Sequence, residues 1–235
     1  MAMFDSVVVT CEHGGNEVPK EFAALFAGHE ELLSTHRGYD PGALELARRF
    51  AKVGNWPLHF STTTRLLCDL NRTFRKEGHL SEITESLDEG TVDALVWAYF
   101  EPYRTAVEKE IRDLVHDERR VLHLSVHSFT PVLDGEVRNA DIGLLYDPKS
   151  PTEVAFCDAW HAALNAARPD LAVRRNYPYL GTTDGFTTTL RTIHEPEQYA
   201  GVELEVNQRW PLEADNAWQE LQAVLVATFQ LALNS

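Results

Sequence analysis

Three segments of this sequence place a polar side chain suited to metal binding or catalysis at or near the end of a strand-like run. His13 follows the valines of "SVVVTCEHGGNEVP", His127 lies in "VLHLSVHSF", and Glu205 lies in "GVELEVNQ". Open α/β sheets bind ligands at the carboxyl ends of their strands. We therefore expect these three side chains to lie in one site.

Two histidines and one carboxylate form a common protein ligand set for a catalytic zinc ion, which keeps a fourth position open to water. We predict His13, His127 and Asp40, which lies in "HRGYDPGALELA", as the three ligands. Asp40 also precedes a helical pattern, where aspartate is a favoured N-cap, so this second role is equally consistent with the sequence. The alternative ligands are Glu12, Asn16, Glu17 and His36.

A second group of polar residues lies within eight positions of "TTRLLCDLNR". An arginine beside a metal can stabilise the oxygen of a polarised carbonyl group, and we predict this role for Arg65. An asparagine–arginine pair can bind a carboxylate through a bidentate fork, so Asn71 and Arg72 are the predicted substrate-binding pair. Asp69 can orient either guanidinium. The alternative is that these arginines are solvated surface residues.

Strand-like and helical segments alternate along the chain, which is typical of a mainly parallel sheet with helices on both faces. The predicted strands are 6–11, about 57–62, 121–129, 142–146, 171–175 and 201–206. The predicted helices are 41–53, 91–117 with a break or kink at Pro102, 151–167 and 216–233. Long polar loops are predicted at 73–90 and 176–198. We predict a three-layer α/β/α fold with a mixed, largely parallel sheet, in a single domain over 1–235.

The side-chain alternation of a strand assigns the polar residues to one face of this sheet. His123, Ser125 and His127 fall on the face opposite to the leucines of the same strand. Glu205 shares a face with Glu203. A carboxylate on so apolar a strand is costly to bury unless it is paired or bound to a metal, which favours a functional role.

Composition limits the partners of this protein. The chain has 235 residues, 44% of them hydrophobic, and a net charge of −15. No basic stripe is present that could cover phosphates, so we expect neither nucleic acid nor an anionic membrane as a partner. A small anionic substrate instead requires a local arginine cluster against this negative charge.

The cysteines and the N-terminus indicate the compartment. Cys11, Cys68 and Cys157 are odd in number and lack C-x-x-C spacing, so they are predicted to be free thiols in a reducing compartment. The N-terminal residues lack the basic region and cleavage site of a signal peptide, and no apolar stretch approaches the roughly 20 residues of a membrane span. We therefore expect a cytoplasmic protein.

Several motifs, in order and over about residues 6–208, resemble those of the N-formylglutamate amidohydrolase family. They are "SVVVTCEHGGNEVP", "HRGYDPGALELARRFA", "TRLLCDLNR", "HSFTPVLDGEVRNADIGLLYDP", "NYPY" and "GVELEVNQ". The family in turn resembles, more distantly, the zinc carboxypeptidases and aspartoacylases. The resemblance implies a zinc-carboxypeptidase-like fold, with a mixed sheet between helical layers.

The resemblance also implies roles for individual residues. His13 and His127 correspond to metal ligands, and Glu205 corresponds to the catalytic carboxylate that takes a proton from water and passes it to the leaving amine. In the carboxypeptidase-like relatives, an asparagine–arginine pair binds the terminal carboxylate of the substrate, which agrees with the prediction for Asn71 and Arg72.

The chain departs from the carboxypeptidase pattern at one position. Those sites place a glutamate three residues after the first histidine, where this sequence has Asn16, and Asp40 is therefore our choice for the ligand. Further candidates for the pocket or for residues that support it are Ser128, Tyr179, His36 and His194.

The expected activity is zinc-dependent hydrolysis of N-formyl-L-glutamate to formate and L-glutamate, a reaction of histidine degradation. One alternative is the same chemistry on another N-acyl amino acid or on a peptide carboxy-terminus. The other is a non-catalytic ligand-binding relative, which the presence of Glu205 beside the histidines disfavours, because a binding protein does not need a proton shuttle.

Overall fold

Strands and helices alternate along the chain, as the hydrophobic pattern predicts. The computed structural model describes residues 3–213 and 216–235, so residues 1, 2, 214 and 215 of the predicted domain lie outside the described residues. The strands are β1 (Ser6–Cys11), β2 (Leu58–Phe60), β3 (Val121–Phe129), β4 (Val132–Leu133), β5 (Glu136–Val137), β6 (Ile142–Leu145), β7 (Val173–Arg175) and β8 (Tyr199–Asn207). The helices are α1 (Glu30–Leu33), α2 (Ala43–Gly54), α3 (Glu89–Leu95), α4 (Glu101–His116), α5 (Pro151–Ala167), α6 (Phe186–Arg191), α7 (Arg209–Leu212) and α8 (Ala217–Leu233). The assignment of 1–235 to one domain stays a prediction.

The main sheet has six strands in the order β2-β1-β3-β8-β6-β7. β2, β1, β3 and β8 are mutually parallel, whereas β6 is antiparallel to β8 and parallel to β7. The predicted mixed, largely parallel sheet is therefore confirmed. Because β1, β3 and β8 are parallel neighbours, their carboxyl ends meet at one edge, where α/β sheets place their ligands.

Helices cover both faces of the sheet, which confirms the predicted α/β/α layers. Helices α2, α5 and α8 pack on one face around an aromatic cluster, in which Phe229 lies 4.9 Å from Trp160 and 5.1 Å from Phe50 between ring centroids. On the other face, α4 and α6 bury Ile111 and Phe186 completely. Each such side chain contributes about 1.5–3 kcal/mol through burial, so the sheet is a rigid support for its edge.

The central strands have one apolar and one polar face. Leu122 and Leu124 of β3 pack into the aromatic cluster, while His123, Ser125 and His127 point to the α4–α6 side. Ser125 and His127 lie beside Glu203 and Glu205 of β8 in the parallel register. The predicted polar face is thus a buried row of titratable groups that leads to the carboxyl edge.

The long helical pattern at 91–117 is divided into segments directly before Pro102. Helix α3 runs into α4 through a π-helical segment, Val96–Phe100, and Pro102 lies in the first turn of α4. Proline has no N–H to donate, so it cannot continue an unbroken series of α-helical hydrogen bonds. The π-helical segment lies directly before it, so the interruption predicted at Pro102 is accompanied by a change of helix geometry.

Two elements were not among the predicted strands and helices. The predicted loop 176–198 contains α6. A small hairpin, β4–β5, turns at Asp134 and Gly135, which have φ of 51° and 82°. An Asp-Gly pair with two positive φ angles is the signature of a two-residue hairpin turn, so this element was recognisable from the sequence.

No helix within residues 3–213 and 216–235 has both the length and the apolar character that crossing a membrane requires.

Candidate functional site

His13, Asp40 and His127 meet at the carboxyl edge of the sheet. Asp40 Oδ2 lies 2.9 Å from His127 Nδ1 and 3.4 Å from His13 Nδ1. The potential ligand atoms of the three residues all lie within 4.8 Å of one another, and all three residues are buried, at 1%, 3% and 3% exposure respectively. The three predicted metal ligands therefore form a compact group that could hold a metal ion.

Backbone contacts bring Asp40 to this edge. His13 leaves the end of β1, and its carbonyl accepts a hydrogen bond of 2.9 Å from the backbone N–H of Asp40. The predicted cap role of Asp40 is wrong, because α2 begins after Gly42 and no side chain caps it. The Asp40 carboxylate instead accepts from the backbone N–H of Ser128 at 3.3 Å and faces the two imidazoles. Gly42 has a φ of 79°, a left-handed conformation that glycine adopts without strain.

Each histidine of this group has an acid on its far side. His13 Nε2 lies 2.7 Å from Asp69 Oδ1, and His127 Nε2 lies 3.2 Å from Glu12 Oε2. Such carboxylates fix the orientation and the tautomer of metal-binding histidines, because a proton held on Nε2 leaves the lone pair of Nδ1 free for a metal. Both imidazoles therefore turn Nδ1 toward the shared position beside Asp40.

The acids and histidines of this group shift one another's pKa values. Burial opposes ionisation of Asp40, but the two neighbouring histidines hold the pKa of its carboxyl well below the usual range. Burial also opposes protonation of His127, yet its hydrogen bonds with Asp40 and Glu12 raise its pKa well above the ordinary value. Without a metal, Asp40 and Glu12 thus favour the protonated form of His127.

The donor set fits a divalent cation. Metal–nitrogen and metal–oxygen bonds of about 2.0–2.2 Å in a tetrahedral zinc site place neighbouring ligand atoms roughly 3.3 Å apart. The separations of 2.9 Å and 3.4 Å around Asp40 Oδ2 are close to that value. A cation bound there would replace the proton on His127, which is the usual exchange when imidazole binds a metal.

Arg65 lies between two acids of this group. Its Nε and Nη2 donate to Asp69 Oδ2 at 3.1 Å and 2.6 Å, and its Nη1 lies 3.5 Å from Asp40 Oδ1. Asp69 therefore orients Arg65 and also holds His13. This arrangement places a fixed cation beside the candidate metal ligands.

Helix α4 supports the loop that carries Asn71 and Arg72. Arg104 of that helix donates to the carbonyls of Leu70 and Arg72, at 3.1 Å and 3.2 Å, and its guanidinium lies 3.7 Å above the Phe186 ring. Asn71 Oδ1 accepts from the backbone N–H of Phe186 at 2.7 Å, which ties the loop to the start of α6. The two residues are thus rigidly positioned.

Glu205 has an unsatisfied side chain in this site. It is buried beside His127 on the neighbouring strand, and its Oε2 has no hydrogen-bond partner among the described residues. Burial raises the pKa of Glu205 to about 8. His127 lowers this pKa, whereas the negative charges of Asp40 and Glu203 raise it further. A carboxyl group that titrates close to neutral pH is suited to proton transfer in either direction.

All nine predicted site residues line one cavity of about 130 Å³: His13, Asp40, Arg65, Asn71, Arg72, His127, Ser128, Tyr179 and Glu205. Pockets for drug-sized ligands usually measure about 300–1,000 Å³, so this one suits a smaller molecule. The placement brings the predicted residues together, and the role of each stays a prediction.

Comparison with known proteins agrees with the motifs. The family model described as N-formylglutamate amidohydrolase matches residues 5–210. The chain belongs to this family. Membership indicates a hydrolase that acts on an amide of a small, amino-acid-derived substrate.

Two crystal structures are similar to this N-formylglutamate amidohydrolase family member. A gene product of Agrobacterium tumefaciens is 30% identical, with a TM-score of 0.83 over 99% of this chain and 92% of the other. An N-formylglutamate amidohydrolase from Ralstonia eutropha is 19% identical, with a TM-score of 0.71 over 96% and 92% of the two chains, and shows the shared fold. No curated protein matches the chain.

The alternative ligands of this family member lie in different places. Asn16 donates to the carbonyl of Leu33, and Glu17 accepts from Thr62, both at exposed positions. Glu12 lies behind His127, as described above, and His36 lines the cavity without belonging to the candidate metal group.

Two of the other pocket candidates already have partners. Ser128 lines the cavity, but its hydroxyl donates to the carbonyl of Pro41 at 2.8 Å. His194 packs on Tyr199, with ring centroids 5.7 Å apart. Sequence reasoning missed that Glu12 and Asp69 support the two histidines. Glu12 directly precedes His13 and Asp69 lies in the arginine motif, but no local pattern reports which imidazole each acid reaches.

Proposed function

We propose that this chain hydrolyses the N-acyl amide of a small acidic amino acid, with N-formyl-L-glutamate as substrate and formate and L-glutamate as products. The observation that carries the proposal is the buried His13–Asp40–His127 group in one small cavity with Glu205, whose Oε2 has no hydrogen-bond partner in the described part of the chain. Family membership supports the amide as the bond that is broken.

His13, Asp40 and His127 are the residues proposed to hold one divalent metal ion, which we take to be zinc because two imidazoles and a carboxylate are typical ligands of catalytic zinc. When bound, such an ion supplies Lewis acidity, which polarises a carbonyl group and makes water a stronger acid. Asp69 and Glu12 keep the two imidazoles in the orientation that this requires.

Glu205 is proposed to move the proton in this reaction. Its carboxylate accepts a proton from the attacking water and then donates it to the amine nitrogen as the carbon–nitrogen bond breaks. The buried Oε2 lacks a hydrogen-bond partner among the described residues, so it is available to a molecule in the cavity.

The arginines of the cavity are proposed to bind the charged parts of the substrate. Arg65 is held by Asp69 beside the metal group, where it can stabilise negative charge on the formyl oxygen. Arg72, next to Asn71, is proposed to bind the α-carboxylate, and a guanidinium fork matches a carboxylate in plane and spacing.

The direct test measures hydrolysis and metal content in the same preparation. Purified chain is expected to contain about one equivalent of zinc and to release formate from N-formyl-L-glutamate faster than acetate from N-acetyl-L-glutamate. Preference for a longer acyl group would favour a related deacylase, and release of a carboxy-terminal residue from a peptide would favour a carboxypeptidase. Metal and substrate binding without turnover would favour the ligand-binding alternative.

Replacing Arg72 with Lys is expected to raise KM for N-formyl-L-glutamate by about 10-fold or more, since hydrogen bonds to charged groups contribute about 1.5–3 kcal/mol. Lysine keeps the charge but loses the planar fork. Steady-state kinetics measure the effect, and Arg48→Lys is a matched control, because Arg48 stacks on Phe60 outside the cavity. An unchanged KM in the Arg72 variant would contradict the proposed contact.

Replacing Asp69 with Asn is expected to weaken metal affinity by about 10–100-fold, as the loss of a carboxylate behind a metal-binding histidine typically does. Competition with a chelating dye measures this affinity without reference to activity. Asp113→Asn serves as the control, since Asp113 pairs with Lys109 on the surface of α4. Equal affinity in the two variants would show that Asp69 does not support the metal.

A further inference from the structure

Two arginines, one lining the cavity and one beside its wall, have no acidic partner among residues 3–213 and 216–235. Arg65, by contrast, is engaged by Asp69 and Asp40. Arg72 donates from Nη1 to the carbonyl of Asp184 at 2.9 Å, and no carboxylate oxygen within residues 3–213 and 216–235 lies within 4 Å of its side-chain nitrogens. In a chain of net charge −15, an arginine left without an acid at a cavity is available to an anionic ligand.

Arg138 is the second of these arginines. It directly follows the β4–β5 hairpin, and its Nη1 donates to the hydroxyl of Tyr179 at 3.0 Å. Its guanidinium also lies 4.9 Å from the centroid of the Tyr179 ring. Within the described part of the chain, no carboxylate lies at ion-pair distance from Arg138, so Tyr179 orients the guanidinium without neutralising it.

Arg138 does not itself line the cavity, but it contacts a residue of the cavity wall. Tyr179 lines the cavity and is 43% exposed, so the residue that holds Arg138 faces both the cavity and solvent. His36 also lines the cavity. Burial lowers the pKa of His36, and the positive charge of nearby Arg138 is the next largest cause of this shift. Arg138 therefore presents its charge next to two cavity residues.

The proposed substrate carries a second carboxylate, for which the proposed function names no partner. The reacting amide has to lie by the metal group and Glu205, and the α-carboxylate lies one bond from the carbon that bears the amide nitrogen. The side-chain carboxylate of glutamate is two methylene groups farther away. It therefore extends away from the reacting centre, and a cation beside the cavity wall can meet it.

We propose that Arg138 determines specificity by binding the side-chain carboxylate of an N-acyl dicarboxylic amino acid, while Arg72 binds the α-carboxylate. This proposal rests on the proposed function and names the part of the site that distinguishes an acidic from a neutral side chain. Tyr179 is a positioning residue in it, because its hydroxyl and ring hold the guanidinium beside the cavity wall.

The test compares N-formyl-L-glutamate with N-formyl-L-glutamine, which has nearly the same shape but no side-chain charge. Replacing Arg138 with Ala is expected to lower kcat/KM for N-formyl-L-glutamate by about 10-fold, a value at the lower end for charged hydrogen bonds because the site is open to solvent. Turnover of N-formyl-L-glutamine should change by less than about two-fold. Arg138→Lys keeps the charge and is expected to keep most of the preference.

Arg174→Ala is the matched control, because Arg174 lies 4.7 Å from the ring centroid of Tyr177, a tyrosine that, unlike Tyr179, does not line the cavity. It removes one charge and one arginine–tyrosine contact and is expected to leave the ratio of the two kcat/KM values unchanged. An equal loss for both substrates in Arg138→Ala would overturn the proposal, since it would indicate a structural role for the hairpin. An unchanged ratio in Arg138→Ala would overturn it as well.

The wild-type chain separates this proposal from the proposed function. If the wild type hydrolyses N-formyl-L-glutamate and Arg138→Ala keeps its selectivity, only the role of Arg138 fails. If the metal-loaded wild type hydrolyses neither compound, the proposed function fails and the role of Arg138 fails with it.

Discussion

Replacing Glu205 with Gln is expected to lower kcat by about 10²–10⁴-fold, while the chain keeps its metal and binds substrate. Glutamine has nearly the same size and retains an oxygen, but it does not accept a proton from water. Because Glu205 is buried beside His127 and its Oε2 lacks a partner, the substitution breaks no hydrogen bond of that oxygen in the described structure. Any loss of turnover then reflects the proton transfer.

Three measurements separate this role from the alternatives: turnover, metal content and substrate binding by calorimetry. Glu203→Gln is the comparison variant, since Glu203 lies on the same face of β8 and accepts a hydrogen bond of 2.5 Å from Thr187. Its loss of turnover should be much smaller. Loss of metal together with activity in Glu205→Gln would make Glu205 a ligand, and near-normal turnover would rule out the hydrolytic mechanism proposed above.

Replacing His127 with Ala is expected to remove both metal and activity without unfolding the sheet. His127 contacts Asp40 from Nδ1 and lies near Glu12 and Ser125 through Nε2, so no other side chain replaces its ligand atom. Losing one of three protein ligands should weaken metal affinity by more than the roughly 10–100-fold that supporting residues contribute. Elemental analysis of the purified variant measures the metal, and circular dichroism measures the fold.

His123→Gln is the matched control for this experiment. His123 lies on the same face of β3, is fully buried, and hydrogen-bonds with Thr10 and Tyr199 rather than with the candidate metal group. It should retain metal even if its thermal stability falls. Stoichiometric zinc in His127→Ala would show that the ligand assignment is wrong.

The strands that carry the histidines could be predicted because their signal is local. Alternation and β-branched runs are properties of five to nine consecutive residues, and the predicted strands 6–11 and 121–129 agree with β1 and β3 to the residue. Regions whose structure depends on packing were less predictable. α6, within a polar segment, buries Phe186 and Leu190 among residues of other elements, and burial of this kind favours helix formation beyond local propensity.

In the site, too, some features could be predicted from local sequence and others depended on packing. The residue types at positions 13, 127 and 205, together with the arginine motif, indicated a metal-dependent hydrolase, because ligand and catalytic chemistry depend on side-chain identity. Those residues left open whether Asp40 caps a helix or faces His127, which lies 87 positions later in the chain. The answer depends on how the loop before α2 folds back onto the end of β1.

The residues themselves thus indicated the strands, the alternating polar face and the family motifs, since each of these is encoded in short stretches of chain. The tertiary fold selected Asp40 as the partner of both imidazoles, placed Asp69 and Glu12 behind them, and brought Arg138 to Tyr179. Contacts between side chains far apart in sequence depend on strand order and on the packing of loops over the sheet edge, for which a single sequence has no local signal.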